Sequence, residues 1–250
     1  MCVSTTEIAV STVTATATFG VRVDLEQAWS TVRLSQTVQE VRSPDGCQSK
    51  PPGRHDPSKA FGHHLSLLVS VDQRPGNAAS VKLFSNGTLH ITGLRSTSEI
   101  HDVASAAGLA CGISTSPLDV RIRMINAHFK HSPALSRSTI VRTVASHTQL
   151  RSMFDPAISP AAKVFFCFDC TNADALQKHQ GACGCPTPCE FLPARMRRCQ
   201  RVVALIHRTG TVMLSGACSE NHVLRAANIL KQVLQTAFGL VHSEGNFQVG

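Results

Sequence analysis

The stretch VKLFSNGTLHITG, residues 81–93, returns 123 positions later as ALIHRTGTVMLSG, residues 204–216. Under that shift Gly87 falls on Gly210, Gly93 on Gly216, Thr88 on Thr211, Ile91 on Leu214 and Thr92 on Ser215, and Ser96 then meets Ser219. A repeat sets the unit of folding before any local reading does, because each copy carries its own apolar face. Within each copy an apolar run, a Gly-containing turn and a second run spell a β-hairpin, with Asn86-Gly87 the stronger turn signal.

Around the hairpins the two halves keep one order. In the first, EIAVSTVTATATFG (7–20) is β-branched and reads as a strand. Asp24 caps a helix within 23–34 whose Leu25, Ala28, Trp29 and Val32 share a face. A Pro/Gly/Ser-rich loop spans 42–59, a strand 64–71 and a turn 72–77. After the hairpin, Ser96 and Glu99 form a capping box for a helix over 96–110, with Ile100, Val103, Ala104 and Ala107 on its apolar stripe. In the second half, strands are predicted over 119–130 and 163–170 and a helix over 136–147. The hairpin follows, then a long helix over 219–240 with Val223, Ala226, Ala227, Leu230, Val233 and Leu234 on one face. Each half reads strand, helix, three strands, helix. The expected fold is α+β, with one repeat at 7–117 and a second at 118–241 that holds a Cys-rich insert at about 170–199. A hairpin followed by a helix is common and names no function by itself. The whole order occurring twice argues for duplication and pseudo-twofold symmetry.

The chain has 250 residues, 42% of them hydrophobic and only 16% charged, which suits a folded core rather than long disorder. A net charge of +8 fits an anionic partner such as nucleic acid, and equally a mildly basic surface without one. No apolar run reaches the ~20 residues of a membrane span. The N-terminus lacks a basic start and a compact apolar centre, so no secretory leader is expected and an intracellular protein is the default. Six of the ten cysteines crowd into 167–199, which in a reducing compartment points to metal ligands or a redox element rather than disulfides.

The doubled block VKLFSNGTLHITG, followed by a helix, resembles the paired repeats of the TATA-box-binding protein family. TVTATATFGVRVDL (12–25) is similar to that family's first strand running into its first helix. The detail resembles divergent members from giant viruses and some protists, through the KLFSNG hairpin, the Met124–Asn126 strand and the Cys-rich insert. The resemblance covers most of the chain outside 42–59 and 170–199. It implies a saddle, a curved antiparallel sheet whose concave side faces DNA and whose convex side carries helices. It also implies the family's mechanism, in which phenylalanines wedge between base steps of the minor groove and kink the duplex. A·T edges in that groove offer few polar distinctions, and TA steps unstack easily.

Carried across by position, the resemblance makes Phe84 a wedge, against the simpler reading of a strand-end core aromatic. Phe61 is the candidate for its pair. Thr92 and Ser215 take groove-facing hydroxyl positions, and Lys82 and Leu205 a groove-facing apolar position from which Lys82 departs. Thr14, His90 and Met213 complete the DNA-facing set. His207 stands where the second wedge would be, and Thr88 and Thr211 stand where the family has a lysine. Thr12 and Met124 occupy the position of a base-contacting asparagine. Asn126 lies two places on, where it either supplies that amide or is a strand-end polar residue.

CFDC (167–170), CGCPTPC (183–189) and Cys199 form a second constellation. Zinc takes four soft ligands at tetrahedral geometry. Cys183, Cys185, Cys189 and Cys199 all lie within the insert and are the expected set for one structural zinc, with unligated thiols the alternative. Cys167 and Cys170 read as small core residues and His179 as a spare ligand. Arg195, Arg197, Arg198 and Arg201 form a basic run that either touches phosphate or is a solvated loop.

The leading function is a DNA-binding transcription initiation factor, a monomer on double-stranded DNA that bends A·T-rich minor groove. It would recruit transcription proteins through its helical face, in the nucleus or at an intracellular viral transcription site. The alternative is a scaffold or inhibitor of transcription complexes with weakened DNA binding. An enzyme is not expected: there is no His-x-Glu with Pro-Cys-x-x-Cys and no His-Glu-x-x-His, and the spacing of Cys47, His63 and His64 supports no nucleophile. No organic cofactor and no membrane partner are expected.

Overall fold

The computed structural model describes residues 4–32, 34–43, 46–48, 64–71, 77–114, 116–132, 136–169, 180–189, 192–193 and 196–245. Phe61, Cys170, His179 and Arg195 lie outside them. In chain order the elements are β1 (Ser4–Thr5), β2 (Ala9–Thr18), α1 (Leu25–Thr31), β3 (Val38–Ser43), β4 (Gly46–Gln48), β5 (His64–Ser70), β6 (Ala78–Phe84), β7 (Thr88–Leu94) and α2 (Glu99–Ala110). Then come β8 (Leu118–Ser132), α3 (Arg137–His147), β9 (Arg151–Met153), β10 (Ala162–Asp169), β11 (Cys199–Ile206), β12 (Thr211–Ala217) and α4 (Glu220–Gly245).

The protein is α+β and its strands pair antiparallel. Two compact units divide the chain, Thr12–Arg123 and Met1–Ser11 with Met124–Gly250. In the first, the strands run β4-β3-β5-β6-β7-β2; in the second, β8-β12-β11-β10-β9, with β1 on β8. Burial alternates along the strands, so one face of each sheet is covered and the other open. In the first unit Leu65, Leu67, Val81, Leu83, Leu89 and Ile91 point into the core with Ile100, Val103, Ala104 and Ala107 of α2, all within 3% exposure. In the second, Val164, Phe166, Val202, Ala204, Val212 and Leu214 are fully buried with Ile140 and Val144 of α3 and Leu230 and Leu234 of α4. Period-2 strands over period-3.6 helices is the arrangement the alternating sequence demands.

The hairpins are closed alike. Gly87 N–H donates to the Phe84 carbonyl (2.9 Å) and Gly210 N–H to the His207 carbonyl (3.0 Å), with φ of +77° and +81°. Each turn is therefore a three-residue loop ending in a left-handed glycine rather than the two-residue turn that Asn-Gly suggests. The glycine carbonyls then accept from Phe19 and His131 N–H, both at 3.0 Å. A Cβ on Gly87 would strike the Val21 carbonyl oxygen, and one on Gly210 the His131 carbonyl oxygen. Pairing agrees as well. Val13↔Leu94 and Ala15↔Ile91 correspond, after shifts of 112 and 123, to Ile125↔Ala217 and Ala127↔Leu214, and the register slips between them in both units.

Four strands escape sequence reading: β1 and β9 are two and three residues long, β3 carries charged residues among its apolar ones, and β4 lies inside the stretch expected as loop, where Cys47 pairs with Arg42. The helix expected from Ser96 begins at Glu99. Half of the predicted capping box forms: the Glu99 carboxylate accepts from Ser96 N–H (3.1 Å) and Arg95 N–H (2.9 Å). The Ser96 hydroxyl instead accepts from Ser98 N–H at 3.2 Å and holds a local turn. Asp24 does cap α1, accepting from Glu26 and Gln27 N–H at 3.0 and 3.1 Å. Among the described residues no helix is long and apolar enough to cross a membrane.

Candidate nucleic-acid interface and cysteine cluster

The open faces hold the DNA-facing candidates. In the first unit, register makes one row of Ser66, Lys82, His90 and Thr16 across β5, β6, β7 and β2, and a second of Leu68, Ser80 and Thr92. Thr14 is half-buried and Thr12 exposed on the same face of β2. In the second unit the matching rows are Lys163, Leu205, Met213 and His128, then Phe165, Val203 and Ser215. Met124 and Asn126 lie on the open face of β8, both half-buried. The structure thus places Thr12, Thr14, Lys82, Phe84, His90 and Thr92 on one open face and Met124, Asn126, Leu205, His207, Met213 and Ser215 on another. Some groups on these faces are engaged internally: Arg123 Nε donates to the Thr16 hydroxyl (2.9 Å), and Ser11 bonds His128 at 2.8 Å.

Phe84 is half-exposed at the end of β6, not in the core. The residue opposite it is His64, in register, with ring centroids 5.5 Å apart. The sequence reading missed His64 because Phe61 offered an aromatic at plausible spacing. Alternation along β5, with Leu65 and Leu67 buried, puts residues 64, 66 and 68 on the open face and would have found it. In the second unit the corresponding positions hold His207 and the buried Ala161, so no ring pair stands there. His207 Nε2 is buried without a hydrogen-bond partner among the described residues, beside a shallow hollow lined by Arg137, Arg208, Thr211 and Met213. An unsatisfied imidazole nitrogen in such a place can bond a ligand's polar edge, which phenylalanine cannot.

The four expected cysteines come together. Their sulfurs all lie within 4.8 Å of one another. Cys185 Sγ is 3.6 Å from both Cys189 and Cys199 Sγ, and Cys183 Sγ is 3.9 Å from Cys199 Sγ. A tetrahedral Zn–S bond of about 2.3 Å requires sulfurs about 3.8 Å apart, so the cluster is compatible with a structural zinc. Cys189 N–H donates to Cys183 Sγ at 3.3 Å, the kind of outer bond that steadies a thiolate ligand. Burial pushes the Cys199 and Cys185 thiols up. Burial also opposes ionisation of Cys189, but backbone N–H donors at Cys199 and Arg198 and the neighbouring thiols bring it down to about 7. Cys167 lies on β10 and is not among the four clustered sulfurs. Cys111, whose thiol burial pushes up to about 11, is an inert core residue.

No family model and no curated protein matches the chain. Among solved structures it is similar to Methanococcus jannaschii TBP, at 17% identity over 94% of this chain and 99% of that one, with a TM-score of 0.49. It is also similar to the rolling circle replication initiator protein from Geobacillus stearothermophilus, at 10% identity over 92% and 80% of the two chains, with a TM-score of 0.34. At these values neither likeness assigns a function to this chain.

Proposed function

We propose that the chain is a DNA-binding protein of transcription initiation that lays its open strand faces on A·T-rich minor groove and bends it at Phe84. One observation carries the reading. Among the described side chains, the open faces of β2, β5, β6, β7, β10, β11, β12 and residues 124–132 of β8 carry hydroxyls, apolar groups, imidazoles and cations, and no carboxylate. Among these described side chains a polyanion meets no repelling charge. Ser215 can donate to the N3 and O2 acceptors of A·T pairs, as can Thr92 on releasing the Ser80 carbonyl to which it donates at 3.4 Å, and Leu205 and Met213 can lie against the sugar edges. Phe84, its ring tilted at 43° to that of His64, can enter a base step. The duplicated repeats at 7–117 and 118–241 and the saddle implied by the sequence resemblance belong to this proposal. So do a monomeric state on DNA, recruitment of transcription proteins by the helices, action in the nucleus or at an intracellular viral transcription site, and the absence of a catalytic step.

His207 and Ala161 favour a second reading, a transcription-complex scaffold whose DNA binding has weakened. Competition binding separates the two. The DNA-binding reading expects at least tenfold preference for an A·T-rich over a G·C-rich duplex. It also expects inosine·cytosine pairs to replace A·T without loss, because they share its minor-groove edge. Equal, weak binding to all three duplexes would favour the scaffold.

A further inference from the structure

Beside the second hairpin the chain differs from its first half at three positions that meet in space. Under the shifts of 112 and 123, Arg137 corresponds to Leu25, His207 to Phe84 and Arg208 to Ser85. Leu25 opens α1 and Arg137 opens α3, so this pair stands at the same step of the chain order. The Asp24 carboxylate that caps α1 is replaced at α3 by Ser136. Each change adds an N–H donor or removes an acid.

Arg137, His207 and Arg208 line one hollow of about 580 Å³, with Pro160 and Met213 as apolar wall and Thr209 and Thr211 between them in the lining. That volume falls within the ~300–1,000 Å³ usual for small-molecule sites. No carboxylate lines it among the described residues. Arg137 donates to the Pro160 carbonyl and lies 4.5 Å from the centroid of the Phe154 ring, contacts that hold its head without cancelling its charge. Arg208 is exposed and forms no ion pair among the described residues. The Thr209 hydroxyl donates to that of Thr211 at 3.2 Å, which leaves the Thr211 hydrogen to donate onward. His207 Nε2 is shut from water and has no partner among the described residues, so a turn of the ring breaks no hydrogen bond at that nitrogen and offers it to a group in the hollow.

Two guanidinium forks, a hydroxyl and an imidazole N–H suit the several oxygens of a phosphate better than the two of a carboxylate. We propose that this hollow is a phosphate-binding site, held by Arg137, Arg208, Thr211 and His207, that takes either a backbone phosphate of bound DNA or the phosphate of a free compound. Its DNA arm rests on the DNA-binding reading above; its free-phosphate arm does not.

The test is calorimetric titration of the full chain with inorganic pyrophosphate at low salt. The proposal expects one site per chain in the wild type and in the remote control R95Q. It expects binding at least tenfold weaker in R137Q/R208Q. The single variant R208Q leaves the Arg137 contact with Pro160 in place and should still bind at least threefold more weakly. H207F, which keeps a ring and removes its nitrogens, should weaken binding as well. No pyrophosphate binding by the wild type, or affinity unchanged in R208Q or in H207F, would overturn it. A salt titration on duplex DNA then identifies the source. A log–log slope shallower by about 0.9 in R208Q points to the DNA backbone. An unchanged slope alongside weakened pyrophosphate binding points to a free phosphate compound. If the wild type binds no duplex, the DNA-binding reading fails and the pyrophosphate result still decides this one.

Discussion

At the scale of single residues, Gly87 and Gly210 answer the same demand in the two hairpins. Both sit at positive φ, and in both a carbonyl oxygen occupies the space of a Cβ. Alanine at either should cost about 1–3 kcal/mol, seen as a lower denaturant midpoint. A neutral G210A would contradict the contact with His131. Phe84 and His207 make the complementary comparison. H207F places a phenylalanine at the second unit's matching position and, if the proposed bending holds, should enlarge the bend, whereas a smaller bend would show that His207 acts by hydrogen bonding. The glycines were legible in the sequence because they are spaced identically in the repeat. His64 was not, because its role depends on a register that the hairpin fixes only in three dimensions.

At the scale of elements, the cysteine loop joins β10 to β11, which lie beside each other at the centre of the second unit's packing. Purified protein should carry one zinc per chain, measured by chromogenic chelator after thiol modification. C185S should lose it and lower the melting temperature by several degrees. Equal stability with and without chelator would remove zinc from the account. The cluster was readable from the sequence, because Cys183, Cys185, Cys189 and Cys199 all lie within the insert, although six cysteines over 167–199 left a choice. The convergence of Arg151 and Arg201 on the Phe165 ring was not, since the three residues come from three strands. A further pH effect belongs to α4. His222 stacks on Phe168 at 4.9 Å and is 5% exposed; burial, then Arg225, holds its imidazole below the ordinary value. A depressed histidine favours the folded state above its unfolded value of about 6.5 and loses that advantage as pH falls below it. Stability should therefore drop between pH 7.5 and 5, by at most about 1.4 kcal/mol per pH unit from this group. H222F should flatten that slope, and an unaltered slope would assign it to other groups.

At the scale of the whole molecule, one plan of strands and helices supports two different open faces. The first unit offers Phe84 with His64 amid threonines and serines. The second offers His207, Leu205, Met213 and cations. The α+β class and most elements followed from alternation and helix caps. Strands β1, β3, β4 and β9 did not, because short, charged or Pro/Gly-rich segments become strands only when a neighbour supplies hydrogen bonds. With a net charge of +8 and open faces without described carboxylates, duplex affinity should fall steeply with salt.

The most direct test of the central claim is energy transfer between dyes on the two ends of a short A·T-rich duplex, titrated with wild-type protein and F84A. The account predicts that the wild type brings the ends closer, and that F84A binds the duplex with little or no change in end-to-end distance. Ends that stay as far apart with wild-type protein bound as without it would contradict DNA bending by this chain.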